Sequence, residues 1–436
     1  MPAWWISFVG AARRPEQAPG GSSRGAGSGT VMEQFMGYPR ADGRVGTRSH
    51  VLVVPTVICA STVASRIAAA VPGAVAIAHN QGCNFDRDMN ERVYRTFAGL
   101  AGNPNVYATL FVGLGCEMVH AEPAHERVAA AGYRSAFIDI QREGGHAAAI
   151  ERGVRIAGPW GEAAVAERRV PASLEHLILG VECGGSDAFS GLSANPALGV
   201  ASDRLVAVGG TVILSETTEM LGAEHLLIAR APDPEVKRRI RAMADRDETE
   251  VASLGIGQAA GSMSLAPGNV EGGLTTIEEK SLGCIRKGGT AAVVDCLGYG
   301  ERPVRPGLNL MDTPGYDVQS VTGLAVGGAN VIAFTTGRGT PTGCCVAPVV
   351  KIASNSRIAL ELADLVDVSA GGVIDGRATL GEAGDAIFAR IVAAASGELT
   401  WSERNGHVEF DVAPVLHVLE LLERGARLAR CEGAGA

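Results

Sequence analysis

From residue 50 onward the chain alternates short apolar, β-branched runs with stretches of helical pattern, and nearly every run stops at a glycine-rich or polar turn. Residues 51–57, 74–78, 106–112 and 136–140 are such runs, with helical character over 59–70 and 121–131. Strands that are apolar throughout, rather than at every second position, must be covered on both faces. The arrangement that does this is a parallel sheet with helical crossovers. After Pro171 the series resumes with apolar runs at 174–181, 205–208 and 211–214. A charged helical stretch over 233–254 and a turn-rich stretch over 255–290 follow, then runs at 291–297, 331–334 and 346–352. The pattern predicts an α/β protein of two lobes, residues 32–170 and 171–436, each a mainly parallel, Rossmann-like sheet flanked by helices. In such sheets ligands bind beyond the carboxyl ends of the strands, where the cysteine- and histidine-bearing turns fall.

At 436 residues with 46% hydrophobic and 19% charged residues, the chain can bury a large core. Its 58 glycines follow no period, which points to tight turns and backbone-lined pockets. A net charge of -9 argues against a nucleic-acid partner, but a few converging cations still suit an anionic substrate. Nine cysteines without a secretion signal fit a reduced, cytoplasmic protein. No apolar run reaches the roughly 18 residues that span a bilayer. Residues 1–31, with Trp4-Trp5, Arg13-Arg14 and a Gly/Ser/Ala-rich run, read as a disordered tail, and Met32 as a plausible true start.

Several turns carry groups suited to chemistry. His79 and Cys83, four residues apart after a strand, can ligate one borderline metal ion, though the same residues also describe a capped strand end. Gly113-Leu114-Gly115-Cys116-Glu117 adds a soft and a hard donor, or simply opens a helix. In Cys183-Gly184-Gly185-Ser186-Asp187 two glycines free backbone N–H groups to cradle an anion, while Ser186 and Asp187 bind hydroxyls or cap a helix. Asn195 lies just beyond. Glu216 and Glu219, three residues apart, would share a helix face as metal donors or an acid/base pair. Only four lysines occur, Lys237, Lys280, Lys287 and Lys351, against 38 lysines and arginines together. A lysine retained in such a background is a candidate for chemistry that arginine cannot perform, and Lys280 and Lys351 stand in the most suggestive contexts. Thr336 and Arg338 close a turn fitted to carboxylate recognition. The Gly-Lys-Ser/Thr ending of a P-loop is absent, as is a complete GxGxxG.

These segments together resemble the altronate/galactarate dehydratase family. The resemblance runs from Gly37-Tyr38-Pro39-Arg40 to about Glu403 and includes Asn103-Pro104-Asn105, the Cys183–Asp187 turn, Pro267-Gly268-Asn269, Glu279-Lys280-Ser281-Leu282-Gly283 and the 335–340 turn. It implies a cytoplasmic lyase that removes a group β to a carboxylate: water from a sugar acid, or sulfite from sulfolactate in a related branch. It also implies a divalent metal, typically Fe2+; the glycine-rich turns that hold Cys83, Cys116, Cys183 and Cys284 offer an iron–sulfur cluster as the alternative. Many members carry an N-terminal SAF-type domain. Here the motifs begin at residue 37, so a separate small SAF-type subunit and an oligomeric assembly are expected.

The metal is expected at His79, Cys83 and Cys116. Lys280 or Lys351 is expected as base or carboxylate clamp, with Glu216 or Glu219 as its acid/base partner. Substrate oxygens are expected on Cys183, Gly184, Gly185, Ser186, Asp187, Asn195, Thr336 and Arg338. A non-catalytic sugar-acid-binding subunit is the reading from outside enzymes.

Overall fold

The computed structural model describes residues 34–83, 86–253 and 265–412, with backbone alone at 250–253. The tail read at 1–31 lies outside them. In chain order the strands are β1 (Gln34–Pro39), β2 (Val45–Gly46), β3 (His50–Pro55), β4 (Ala74–Ala76), β5 (Val106–Gly113), β6 (Ser135–Asp139) and β7 (Val170–Ser173). They continue as β8 (Ile178–Cys183), β9 (Thr211–Leu214), β10 (Val293–Leu297), β11 (Gly307–Met311), β12 (Val331–Thr336), β13 (Val349–Ala353) and β14 (Val368–Ser369). One sheet has the order β4-β3-β5-β6 and the other β10-β11-β9-β8-β12-β13-β14. Every pairing in both is parallel, as the all-apolar strands require. A small antiparallel sheet, β2-β1-β7, is hydrogen-bonded separately and packs Phe35 and Val45 into the core of the larger sheet.

The central strands of the larger sheet are buried along their whole length, as at β9, β12 and β13. On one face Leu179, Val181 and Ala333 pack with Ala197, Leu198 and Leu205 of the helix Ala194–Ala207. On the other, Ile213, Ile332 and Phe334 pack with Val321 and Leu324 of the helix Asp317–Val326. From β8 the chain builds outward through β9 on one side, then returns to place β12 on the other. The strand order therefore reverses at β8/β12, and a crevice opens beyond their carboxyl ends. Cys183–Gly185 follows β8 there, and Gly337–Thr340 follows β12.

Two expectations change. The apolar run 205–208 ends the helix Ala194–Ala207 rather than forming a strand, since four apolar residues carry no period that separates the two. The turn-rich stretch contains the helices Pro267–Glu271 and Ile277–Cys284. The second is started by Thr276, whose hydroxyl accepts the Glu279 N–H. Its continuation is the single turn Ile285–Gly288. Lys280, Cys284 and Lys287 thus recur at intervals of four and three, the spacing of one helical face.

Candidate active site

That face meets the end of β8. The Cys183 and Cys284 sulfurs lie 4.0 Å apart, and each Glu of the pair Glu216/Glu219 places an oxygen 3.6 Å from Cys183 Sγ. One donor atom from each of Cys183, Glu216, Glu219 and Cys284 falls within 4.8 Å of all the others, and all four residues are buried. Among the described residues no other group of three or more His, Cys, Asp or Glu donors is so arranged.

Glu216 reaches this position at a conformational cost. It is the one non-glycine residue with positive φ (67°) among those described, a state that costs on the order of 1–3 kcal/mol and persists where surrounding contacts enforce it. Its N–H donates to Thr313 Oγ1 at 2.7 Å and its carboxylate accepts the Cys183 N–H at 3.0 Å. The spacing of Glu216 and Glu219 does bring the two carboxylates together, but through this bend and a single turn over Thr217–Met220 rather than along a helix.

Two lysines balance the acids. The fully buried Lys287 ammonium donates to Glu216 and lies 2.9 Å from Cys183 Sγ and 3.1 Å from Cys284 Sγ. Lys280 donates to Glu219. Burial pulls both lysines toward neutrality. It is outweighed by the thiols and Glu216 at Lys287, and by Glu219 with Cys183 at Lys280, so both stay protonated well above the usual lysine range. Burial, then repulsion from Glu216, pushes the Glu219 carboxyl up.

A cavity of about 170 Å³ opens on this cluster, lined by Cys183, Gly184, Gly185, Glu219, Lys280 and Asp317 and reached by Arg338. A larger one of about 640 Å³ shares Cys183 and Lys280 with it. Burial, reinforced by Glu219, raises the Asp317 carboxyl to about 6. Gly184 has no room for a side chain, because a Cβ would collide with Asp317 Oδ2 and the Phe334 ring. Gly184→Ala is therefore expected to lower kcat at least about 100-fold by displacing the cavity wall at Asp317, since a misplacement of about 1 Å in an active site carries a penalty of that order. A normal near-native circular dichroism spectrum would show that the fold itself survives.

Beneath the cavity, Glu182, Phe334 and Lys351 stand side by side on β8, β12 and β13. Glu182 Oε2 accepts from Ser215 and Ser320 at 2.5 Å each, while Oε1 has no partner among the described residues. Lys351 Nζ is fully buried, without a hydrogen bond among the described residues, 3.4 Å from the centre of the Phe334 ring. Burial lowers Lys351 to about 7 against the pull of Asp317, Glu409 and Glu182. Because its folded value lies below its ordinary 10.5, the unfolded chain binds the extra proton between about 7 and 10.5. Stability therefore rises with pH across that window, by an amount on the order of 5 kcal/mol. Lys351→Met should flatten this rise and stabilise the fold at pH 7, as chemical denaturation at several pH values would read out.

The structure thus gathers Lys280, Glu216, Glu219, Cys183, Gly184, Gly185 and Arg338 at one place. Lys351 lies behind that place rather than on the cavity. Several polar residues nearby are committed to the fold. Asp187 accepts from Ser190, Ser354 and Asn355. Asn195 links Thr335 to the Gly283 carbonyl, and Thr336 accepts the Gly339 and Thr340 N–H groups. Ser186 is buried with a hydroxyl that has no partner among the described residues, and Arg338 pairs with Glu271.

His79, Cys83 and Cys116 sit at the ends of the smaller sheet. Their turns touch, since the Gly82 carbonyl accepts the Met118 and Val119 N–H groups, but their donor atoms do not form a group of the kind above. His79 accepts the Gln81 N–H at Nδ1, and its Nε2 lies 2.5 Å from the Pro55 carbonyl, so backbone occupies both ring nitrogens. Both cysteines are exposed. Sequence reading passed over Lys287 and Asp317. The i, i+4, i+7 spacing of Lys280, Cys284 and Lys287, together with lysine scarcity, was the signal for the first. Asp317 left none.

A parallel α/β sheet whose switch point gathers two thiols, two carboxylates and two ammonium groups around a small cavity has the makings of an acid/base enzyme for anionic substrates. The comparisons specify which. Residues 174–417 match the model for the D-galactarate/altronate dehydratase C-terminal region, and 37–164 match the second domain of D-galactarate dehydratase/altronate hydrolase. The chain belongs to this family, whose dehydratases are carbon–oxygen lyases.

Among its relatives is the altronate dehydratase of Escherichia coli K12, 36% identical over 392 residues, covering 86% of this chain and 76% of that one. The galactarate dehydratase (L-threo-forming) of the same organism is 36% identical over 406 residues, covering 87% and 77%. The (2R)-sulfolactate sulfo-lyase subunit beta of Chromohalobacter salexigens is 35% identical over 383 residues, covering 86% and 96%. No helix among the described residues is long and apolar enough to cross a membrane.

Proposed function

We propose that the protein dehydrates a sugar acid such as altronate or galactarate to a 2-keto-3-deoxy acid, in the cavity beyond β8 and β12. The observation that carries this reading is the convergence of a charged lysine, Lys280, and a raised carboxyl, Asp317, on one small cavity beside the Cys/Glu cluster. Lys280 and Arg338 hold the substrate carboxylate, and the Gly184-Gly185 backbone lets it approach closely. Ionised Asp317 takes the proton α to the carboxylate. Protonated by that step, it delivers the proton to the departing 3-hydroxyl, which leaves as water, and the resulting enol becomes the keto acid.

The cluster's two thiols and two carboxylates form a mixed soft and hard donor set that fits a divalent first-row ion. Such an ion, when bound, supplies positive charge for the substrate's carboxylate and 2-hydroxyl oxygens. Cys183, Glu216, Glu219 and Cys284 would hold it, in preference to His79, Cys83 and Cys116, because among the described residues only the first set brings its donor atoms within 4.8 Å of one another. Two sulfurs rather than four favour a single Fe2+ over an iron–sulfur cluster.

The near end-to-end match to a relative named as a subunit supports action with a separate small subunit. The same match favours a second reading, release of sulfite from sulfolactate by the same proton abstraction. An anaerobic assay with Fe2+ against aldonates, aldarates and sulfolactate separates the two. With the accepted substrate, kcat/KM should rise with pH through a value near 6, as Asp317 ionises, and Asp317→Asn should abolish this limb. An unchanged limb in that variant would remove Asp317 from the mechanism.

A further inference from the structure

Lys287 has no task in the reaction just described, yet it is fully buried among two thiols and a carboxylate. We infer that Lys287 and Cys183 are a modification site, joined by a covalent N–O–S bridge when the metal-free protein meets dioxygen. The inference does not rest on which substrate the cavity accepts or on metal binding.

Three features of the geometry support it. The nitrogen lies closer to either sulfur, at 2.9 and 3.1 Å, than the sulfurs lie to each other, at 4.0 Å. A single oxygen atom bonded to both Nζ and Cys183 Sγ fits the shorter gap after a small approach, whereas a disulfide needs the sulfurs to close to about 2.05 Å. Glu216, which accepts from Nζ, can take the proton that the ammonium must lose before nitrogen forms a new bond. Finally, Cys183 lines both cavities, which gives a small apolar oxidant a route to this residue without unfolding.

The reaction balances as thiol plus amine plus dioxygen giving the S–O–NH linkage plus one water. Sulfur and nitrogen each give up two electrons. One oxygen atom becomes the bridge and the other leaves as water with two of the three hydrogens. The product removes a thiol donor and the buried positive charge together, and thiol reductants cleave it as they do other sulfur oxidation states low on the ladder.

The test uses the full-length protein, metal-stripped with chelator, divided between air and an anaerobic chamber, then digested without reductant and mapped by mass spectrometry. The expected result is a Cys183 peptide linked to a Lys287 peptide, heavier than their sum by one oxygen less two hydrogens. It should be present only after aeration, lost on dithiothreitol treatment and absent from Lys287→Arg. A Cys183–Cys284 disulfide in its place would overturn the inference. So would unlinked sulfenic or sulfonic acid at Cys183, or two peptides unchanged by air.

Discussion

Lys280→Met should lower kcat/KM by about three orders of magnitude on whichever sugar acid the protein accepts, with the larger share in KM. Lys280 lines both cavities and is held charged by Glu219, so it offers a permanent cation where the substrate carboxylate enters. Truncating one partner of a buried, hydrogen-bonded charge pair typically costs about 2–5 kcal/mol of binding, up to about three orders of magnitude in affinity. The variant also leaves Glu219 buried without its partner, which weakens substrate binding further. Lys280→Arg should recover only part of the loss, because a planar guanidinium differs from a compact ammonium at the junction of two cavities. Were Lys280 the proton-abstracting base instead, the Met variant would lose kcat rather than binding, and its pH profile would lose the acidic limb assigned above to Asp317. The split between KM and kcat therefore distinguishes clamp from base.

The second large effect concerns stability. Glu216→Gln should destabilise the fold by about 3–5 kcal/mol, the range found when one partner of a buried ion pair is removed. Lys287 would remain charged beside the thiols with its carboxylate gone, while the left-handed backbone at 216 would persist. Lys287→Met should cost a comparable amount, for the converse reason. The double variant should be more stable than the sum of the two losses predicts, because the second change removes the charge stranded by the first. Strict additivity in urea denaturation would mean that the two groups do not interact in the folded protein.

How much of this could be read from the chain alone follows from the range of each signal. The parallel sheets were legible because all-apolar strands between helices leave few alternatives, and β3, β5, β8, β9 and β12 each overlap a predicted run. The run at 205–208 misled because it is too short to show a period. At the site, local signals worked where the backbone itself gathers the groups, as in the Cys183–Gly185 turn and the Glu216/Glu219 spacing. They failed for groups brought in from a distance. Asp317 opens a helix over 130 residues after Cys183, and nothing near it in sequence marks it as a neighbour of Gly184. Lys351 was singled out as a candidate base or clamp, but its position on a buried strand behind Phe334 depends on strand order, which the sequence does not state. The turns bearing His79, Cys83 and Cys116 illustrate the reverse. They hold suitable donors, yet the backbone of Pro55 and Gln81 engages both His79 nitrogens, an arrangement invisible in one dimension.

Metal stoichiometry in two paired variants tests directly the proposal that Cys183, Glu216, Glu219 and Cys284 hold a metal ion. Protein purified anaerobically with Fe2+ and measured by inductively coupled plasma mass spectrometry should carry one iron per chain, in the unaltered form and in Cys83→Ser/Cys116→Ser alike. Cys183→Ser/Cys284→Ser should carry almost none. Full iron in the latter pair and loss in the former would contradict the site described here and move the chemistry to the smaller sheet.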